Sequence, residues 1–177
     1  MKPLDLNDAS IAVVLPTLNE AANIAMRIAE IRGLGVSQII VADGGSSDGT
    51  VDVCRQAVDV ELVQCNQGRG NQIAAGVAAS RQTHVIVLHA DTRLPTGACA
   101  AVKATLADRT VSGGCFRLSF DELGAAFRFY AAMSHIESGA TTFGDQAYFF
   151  RKADFDAVGG TPHWPLFEDV DLRRRLL

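Results

Sequence analysis

Val85-Ile86-Val87-Leu88-His89-Ala90-Asp91 is an apolar run that stops abruptly at a polar triplet, and its reading decides the fold. Four aliphatic residues bounded by polar chemistry predict a strand buried on both faces, as in a parallel sheet covered by helices. Ligands in open α/β sheets bind at the carboxyl ends of such strands, which is where His89 and Asp91 would emerge. Two residues apart on extended backbone, they would point the same way, and an imidazole beside a carboxylate could clamp a divalent cation. The pair also reads as a core histidine followed by an aspartate that caps the next helix.

Working outward, the same strand–helix alternation runs from residue 11 to residue 91. Ile11-Ala12-Val13-Val14-Leu15 is a short apolar run ended by Pro16, read as the first buried strand. Asn19 suits a helix N-cap, with Ile24, Ile28 and Ile31 at helical spacing up to Gly33. Gln38 to Val41 predicts a second strand ending at Ala42-Asp43-Gly44-Gly45, and Val60 to Val63 a third. Ser47 or Asp48 can cap a helix from about Thr50 to Ala57, and Gly70 to Ala79 is a helix of small residues. Such alternation implies βαβ units and a parallel sheet. The second half is less regular: a helix over Gly97–Leu106, a strand over Gly113–Phe120, and a helix over Leu123–Ser138. A further strand follows over Gln146–Phe150, then a short helical turn between Asp154 and Gly159-Gly160.

Length and composition agree with one soluble domain. The 177 residues are 48% hydrophobic and 20% charged, and the net charge of −4 comes without a basic block that would suit a nucleic acid. Cys54, Cys65, Cys99 and Cys115 are dispersed without metal-finger spacing and read as reduced cysteines of a cytosolic protein. No stretch has the length of a membrane span, and MKPLDLNDAS has no apolar signal core. A cytoplasmic location is the expectation. From Glu168 to Leu177 the chain reads as the opening of a helix that stops midway, leaving Leu172, Leu176 and Leu177 in want of a partner surface. The expectation is that a C-terminal portion is missing.

Four polar clusters carry chemistry: Pro16-Thr17-Leu18-Asn19-Glu20, Asp43 to Thr50, His89-Ala90-Asp91, and Glu168-Asp169. The first three follow consecutive strands and converge on one edge of a parallel sheet. A Gly-rich turn lets backbone approach a ligand, and the helix start after it favours anions. The turn holds neither GxGxxG nor GxxxxGK[ST], so it is neither a dinucleotide fingerprint nor a P-loop. Asp43 could accept hydrogen bonds from a base or ribose, or could simply build the turn as an Asx residue.

Taken in order, P-T-L-N-E, A-D-G-G-S-S-D-G-T, a triplet ending in Asp after a buried strand, and E-D before D-L resemble inverting glycosyltransferases of family 2. The ordered set spans residues 11 to 177. Within that family the chain is most similar to bacterial proteins with G-R-G-x-Q-x-x-A-G, here Gly68-Arg69-Gly70-Asn71-Gln72-Ile73-Ala74-Ala75-Gly76. The resemblance implies a GT-A fold: an α/β, mostly parallel central sheet flanked by helices, in a single domain. A nucleotide-binding half would span about residues 10–95 and an acceptor-side half about 96–177. It implies a donor that is a nucleotide-diphosphate sugar, UDP-sugar favoured, and a divalent metal cofactor, Mn²⁺ or Mg²⁺. Pro16, Thr17, Glu20, Asp43, Gly44 and Arg69 match nucleotide-contacting positions, although Arg69 also reads as a solvated loop arginine. Asp91 matches the last residue of the metal-binding motif, and Asp169 the catalytic base. Glu168 would position acceptor or loop, and Asp145 in Gly144-Asp145-Gln146 would bind donor sugar or acceptor hydroxyls. The departure is His89, where the family usually has Asp; an imidazole suits Mn²⁺ better than Mg²⁺.

The chemistry required fits these roles. A departing nucleoside diphosphate needs a cation to stabilise its charge, and the incoming hydroxyl needs a base on the opposite face of the sugar. One in-line displacement inverts the anomeric carbon. Glu168-Asp169 also reads as helix capping. Two alternatives stay open: a nucleotide-binding module with little catalysis, and a sugar-phosphate nucleotidylyltransferase. The second lacks its Gly-rich, Arg-bearing loop after the first strand. The aromatic segment with Phe127, Phe129, Tyr130 and Met133 could face a lipid-linked acceptor at the inner membrane surface, or be core.

Overall fold

Seven consecutive fully buried residues, Ile11–Thr17, form β1 in the computed structural model, which describes residues 10–117 and 146–161. A strand buried on both sides must be covered by helices on both, and it is. The elements that follow are α1 (Ala21–Arg32), β2 (Gln38–Asp43), α2 (Thr50–Gln56), β3 (Val60–Gln64), α3 (Arg69–Ala79) and β4 (His84–Val87). Next come α4 (Ala98–Ala107), β5 (Gly113–Cys115), β6 (Tyr148–Arg151) and α5 (Lys152–Ala157). The predicted α/β architecture with a mostly parallel sheet holds. The predicted helix over Leu123–Ser138 lies outside the described residues.

The six strands are ordered β3-β2-β1-β4-β6-β5. β3, β2, β1 and β4 are parallel, whereas β6 runs antiparallel to both β4 and β5. The chain builds outward from β1 to β3, then returns to place β4 on the other side of β1. The strand order therefore reverses between β1 and β4, and the crevice at their carboxyl ends is the place where such sheets bind ligands. Alternate residues of each strand enter opposite cores. Val13, Leu15 and Ile86 pack with Ile24, Ile28 and Ile31 of α1, Cys54 of α2, and Val102 and Leu106 of α4. Ala12, Val14, Val85, Val87 and Phe150 pack with Ile73 and Val77 of α3 and with Phe155 of α5. Phe155 stacks on Phe150 with ring centroids 4.9 Å apart.

Pro16 does not end β1, as the sequence suggested; the strand continues through Thr17, paired with Ala42 and Asp43 of β2. Proline removes only the N–H that would face β4, and there the ladder has already ended at Val14 and Val87. The carbonyl of Val14 takes the last bond, from the Leu88 N–H at 3.0 Å. The proline thus sits where β1 and β4 part. Among the described residues, no helix is long and apolar enough to cross a membrane.

His84, which the sequence reading passed over, is buried at the amino end of β4, paired in register with Arg151. Burial, with the Arg151 and Lys103 cations nearby, pulls its imidazole below the ordinary 6.5. The folded state therefore resists a proton that the unfolded chain accepts. Stability is complete above the unfolded pKa and is lost as pH falls from there through the folded value. The wild-type urea midpoint should fall between pH 7.5 and roughly 5, and His84→Gln should flatten that dependence. Parallel curves for the two proteins would remove His84 as its source.

Candidate active site

Three loops meet at the carboxyl edge of the parallel strands, and a few side chains fix them together. Between β1 and α1, Asn19 takes a left-handed φ of 57°. It does not cap α1, as its sequence position suggested; Glu20 stands at that position without a side-chain capping bond. Instead the Asn19 carboxamide accepts the Ser47 N–H at 2.9 Å, and the Asn19 N–H donates to Ser46 Oγ at 2.8 Å. Left-handed backbone is tolerated by Asn because its short side chain bonds locally.

Asp48 joins the starts of two helices. Its Oδ2 accepts the Ala21 N–H at 3.0 Å and its Oδ1 accepts the Thr50 N–H at 3.1 Å. Thr50 Oγ1 in turn accepts the Glu20 N–H at 2.9 Å. The hydrogen bonds from Thr50 and Ala21 hold the Asp48 carboxyl below its ordinary pKa. The first backbone donor of α1 and the first of α2 are therefore both satisfied by one carboxylate.

Asp43, wholly buried, behaves as the turn-building Asx residue that the sequence allowed. Its carboxylate accepts the N–H groups of Gly45 at 2.9 Å and Ser46 at 3.1 Å, and the Ser46 hydroxyl. Burial, with the Asp43 negative charge adding to it, pushes the Cys54 thiol up to about 11 and raises Cys65 as well. In both cases burial is the larger cause. Gly44 leaves room for Gln72: a Cβ there would lie 3.0–3.2 Å from the Gln72 carboxamide. That carboxamide donates to the carbonyls of Thr17 at 2.7 Å and Ala42 at 3.2 Å, stapling β1 to β2 from α3. Gln72, in the motif beginning Gly68-Arg69-Gly70, was not singled out from sequence. Arg69 is the first residue of α3, and Thr161 Oγ1 donates to the Gly70 carbonyl at 2.9 Å.

The triplet after β4 differs from its extended reading. The strand stops at Val87, and the Thr92 N–H bonds the His89 carbonyl at 3.1 Å, closing a turn. Beyond the Leu88 N–H bond to the Val14 carbonyl, Pro16 has no N–H to offer the chain that follows β4. His89 is half-buried and Asp91 exposed, so the two do not project as neighbours on one strand face. The Ala90 carbonyl between them accepts Arg27 Nε at 3.0 Å. Arg27, on α1 and 2% exposed, was likewise missed from sequence. Among the described residues no three His, Cys, Asp or Glu side chains gather closely enough to hold a metal ion.

Pro16, Thr17, Glu20, Asp43, Gly44, Arg69, His89 and Asp91 thus all lie on loops, strand ends or a helix start at this one edge. Thr17 is buried, with its hydroxyl donating to the Leu15 carbonyl at 2.9 Å, and the Glu20 carboxylate accepts from Asn23 at 2.9 Å. Gln146 enters from the other side of β4. It is 3% exposed, and its Oε1 has no hydrogen-bond partner among the described residues. Continuing the β4–β6 register by two residues from Val87 and Tyr148 sets it across from His89. Asp145, Glu168 and Asp169 lie outside the described residues.

Comparison with known proteins accords with this arrangement. Glycosyltransferase AglJ of Haloferax volcanii is 34% identical over 83 residues, 46% of this chain and 27% of that protein. The mannosyltransferase PcManGT of Pyrobaculum calidifontis, solved with GDP-Man and Mn²⁺, shares the fold at a TM-score of 0.75. It is 21% identical, and the match covers 97% of this chain and 53% of that one. Glucosyl-3-phosphoglycerate synthase from Mycobacterium tuberculosis was solved with Mn²⁺, UDP and glucosyl-3-phosphoglycerate. It gives 0.67 at 21% identity, over 96% of this chain and 67% of that one. The chain spans about a quarter of the curated relative's length and about half of the mannosyltransferase. These likenesses identify the fold as GT-A. Residues 12–160 match the model of Glycosyl transferase family 2, most of the sequence, and the chain belongs to that family.

Proposed function

We propose that the protein transfers a sugar from a nucleotide-diphosphate sugar to an acceptor hydroxyl with inversion, assisted by a divalent cation. The observation that carries this reading is the convergence of the β1, β2 and β4 loops on the point where the strand order reverses. On the nucleotide side stand Pro16, Thr17, Glu20, Asp43, Gly44 and Arg69. Asp43 accepts three donors from its own loop and so shapes the turn that would receive a ribose or base. UDP-sugar is the favoured donor from sequence; the solved relatives include one with GDP-Man and one with UDP.

The donor set fits a cation shared with substrate. Small hard divalent ions are held through one or two carboxylates plus substrate phosphates rather than in an all-protein cage. Asp91, exposed on its turn, supplies one such carboxylate, with His89 beside it in sequence as a second candidate ligand. The cation would neutralise charge developing on the leaving diphosphate. Both solved relatives named above contain Mn²⁺.

Asp169 takes the proton of the acceptor hydroxyl, Glu168 orients acceptor or loop, and Asp145 contacts donor-sugar or acceptor hydroxyls. A lipid-linked acceptor and a place at the inner face of a cytoplasmic membrane belong to the same reading; liposome flotation with no bound fraction would remove them. The test of the whole is nucleotide binding and turnover on a panel of UDP- and GDP-sugars. Asp91→Ala should abolish the gain in UDP or GDP affinity that Mn²⁺ gives the wild type. Equal calorimetric affinity with and without metal in the wild type would sink the metal role. Nucleotide binding without turnover of any donor would instead favour a binding module.

A further inference from the structure

Arg27 lies on the face of α1 that packs into the sheet, among Ile24, Ile28 and Ile31, and is 2% exposed. A guanidinium so placed must have its charge and donors satisfied, because desolvating an unpaired cation is costly. Two partners are supplied from opposite sides. Its Nη1 pairs with the Glu30 carboxylate one turn along α1. Its Nε donates at 3.0 Å to the carbonyl of Ala90, 63 residues away and between His89 and Asp91. Glu30 is itself bridging: its other oxygen pairs at 3.0 Å with Arg93 Nε, two residues beyond Asp91. The turn that carries Asp91 is therefore gripped from α1 immediately before that residue and again two residues after it.

We propose that Arg27, braced by Glu30, is the positioning residue that presents Asp91 to a cation shared with the donor diphosphate. This rests on the site reading given above. Three features favour positioning over mere packing. An aliphatic side chain would continue the isoleucine stripe of α1 without any charge to desolvate. The fork geometry of guanidinium serves two acceptors at fixed directions, which suits holding a carbonyl in place. The part of the turn so held has lost its β1 partner, since the β1–β4 ladder ends at Val14 and Val87. Residues that orient metal ligands without touching the metal change affinity for it by about 10–100-fold when removed.

The test compares calorimetric affinities for UDP and for GDP, each with and without Mn²⁺, alongside the electron paramagnetic resonance signal of bound Mn²⁺. Wild type, Asp91→Ala, Arg27→Met, Arg27→Lys and Glu30→Gln are measured, each with its thermal midpoint. Arg27→Met should reduce the Mn²⁺-dependent gain by about 10–100-fold and leave metal-free nucleotide affinity unchanged. Arg27→Lys should restore part of that gain, because an ammonium can still reach one acceptor. Glu30→Gln, at a half-exposed position that tolerates the change, should show a smaller loss of the same metal-specific kind. It decides the matter if Arg27→Met does not fold. A wild-type gain in Arg27→Met, or equal losses with and without metal, overturns the proposal. So does an unchanged gain in Glu30→Gln. No gain in the wild type removes the site reading itself. A gain lost in Asp91→Ala but kept in the Arg27 variants removes only the positioning role.

Discussion

Asp169→Asn is expected to lower sugar transfer by about 10²–10⁴-fold, the usual worth of a positioned general base, with nucleotide affinity unchanged. Attack on the anomeric carbon requires the acceptor hydroxyl to shed its proton as the bond forms, and an amide of the same shape cannot take it. The substitution also separates the two readings of Glu168-Asp169. Asn and Asp are about equally good helix N-caps, so a residue that merely caps a helix would tolerate the change. Steady-state transfer measured beside calorimetric nucleotide binding makes the distinction. Wild-type rates would return Asp169 to a capping role. Loss of binding and rate together would point to a disturbed fold rather than a missing base.

Gly76→Val should damage the fold severely, because α3 and β1 touch at this glycine. A Cβ at Gly76 would lie 2.4 Å from Val14 Cγ1 and 3.4 Å from the Ala42 Cβ. Val14 is fully buried at the centre of the sheet, and its short branched side chain has no room to withdraw. Helix α3 would have to lift from β1. Overpacking of this kind costs typically about 1–3 kcal/mol and occasionally more, or several degrees in Tm for a chain of this size. Lifting α3 also draws Gln72 away from the Thr17 and Ala42 carbonyls, so weaker nucleotide binding should accompany the loss. Chemical denaturation provides the measurement. Val14→Ala in the Gly76→Val background should recover part of the loss, because neighbouring substitutions that share a space are not additive. Full additivity would mean that the close approach is not the cause.

The β1, β2 and β4 runs were legible because burial on both faces leaves an uninterrupted apolar stretch, which is a local signature. The polar loops after them were legible because strands in such a sheet end at one edge together. Site residues on those loops could therefore be named from sequence, with the family resemblance adding their roles. Asp43 shows the limit of that reading. Its type and place allowed both a ligand contact and a turn, and the structure displays the turn through the Gly45 and Ser46 donors.

Asn19 and the His89–Asp91 pair were misread for a shared reason. Each was given a conformation from its nearest neighbours, whereas each is set by a distant segment: Ser46 and Ser47 for Asn19, Arg27 and the parting of β1 from β4 for the triplet. The chain by itself determined the alternation of elements, the two-sided burial of its strands, and the family motifs at their ends. Only the tertiary structure decided that strand order reverses between β1 and β4 and that Pro16 lies where they part. It also decided that Gln72 and Arg27 hold the loops from opposite layers. Periodicity records which face of an element is buried, but a hydrogen bond across 63 residues depends on which layers the fold brings together, and no local pattern encodes that choice.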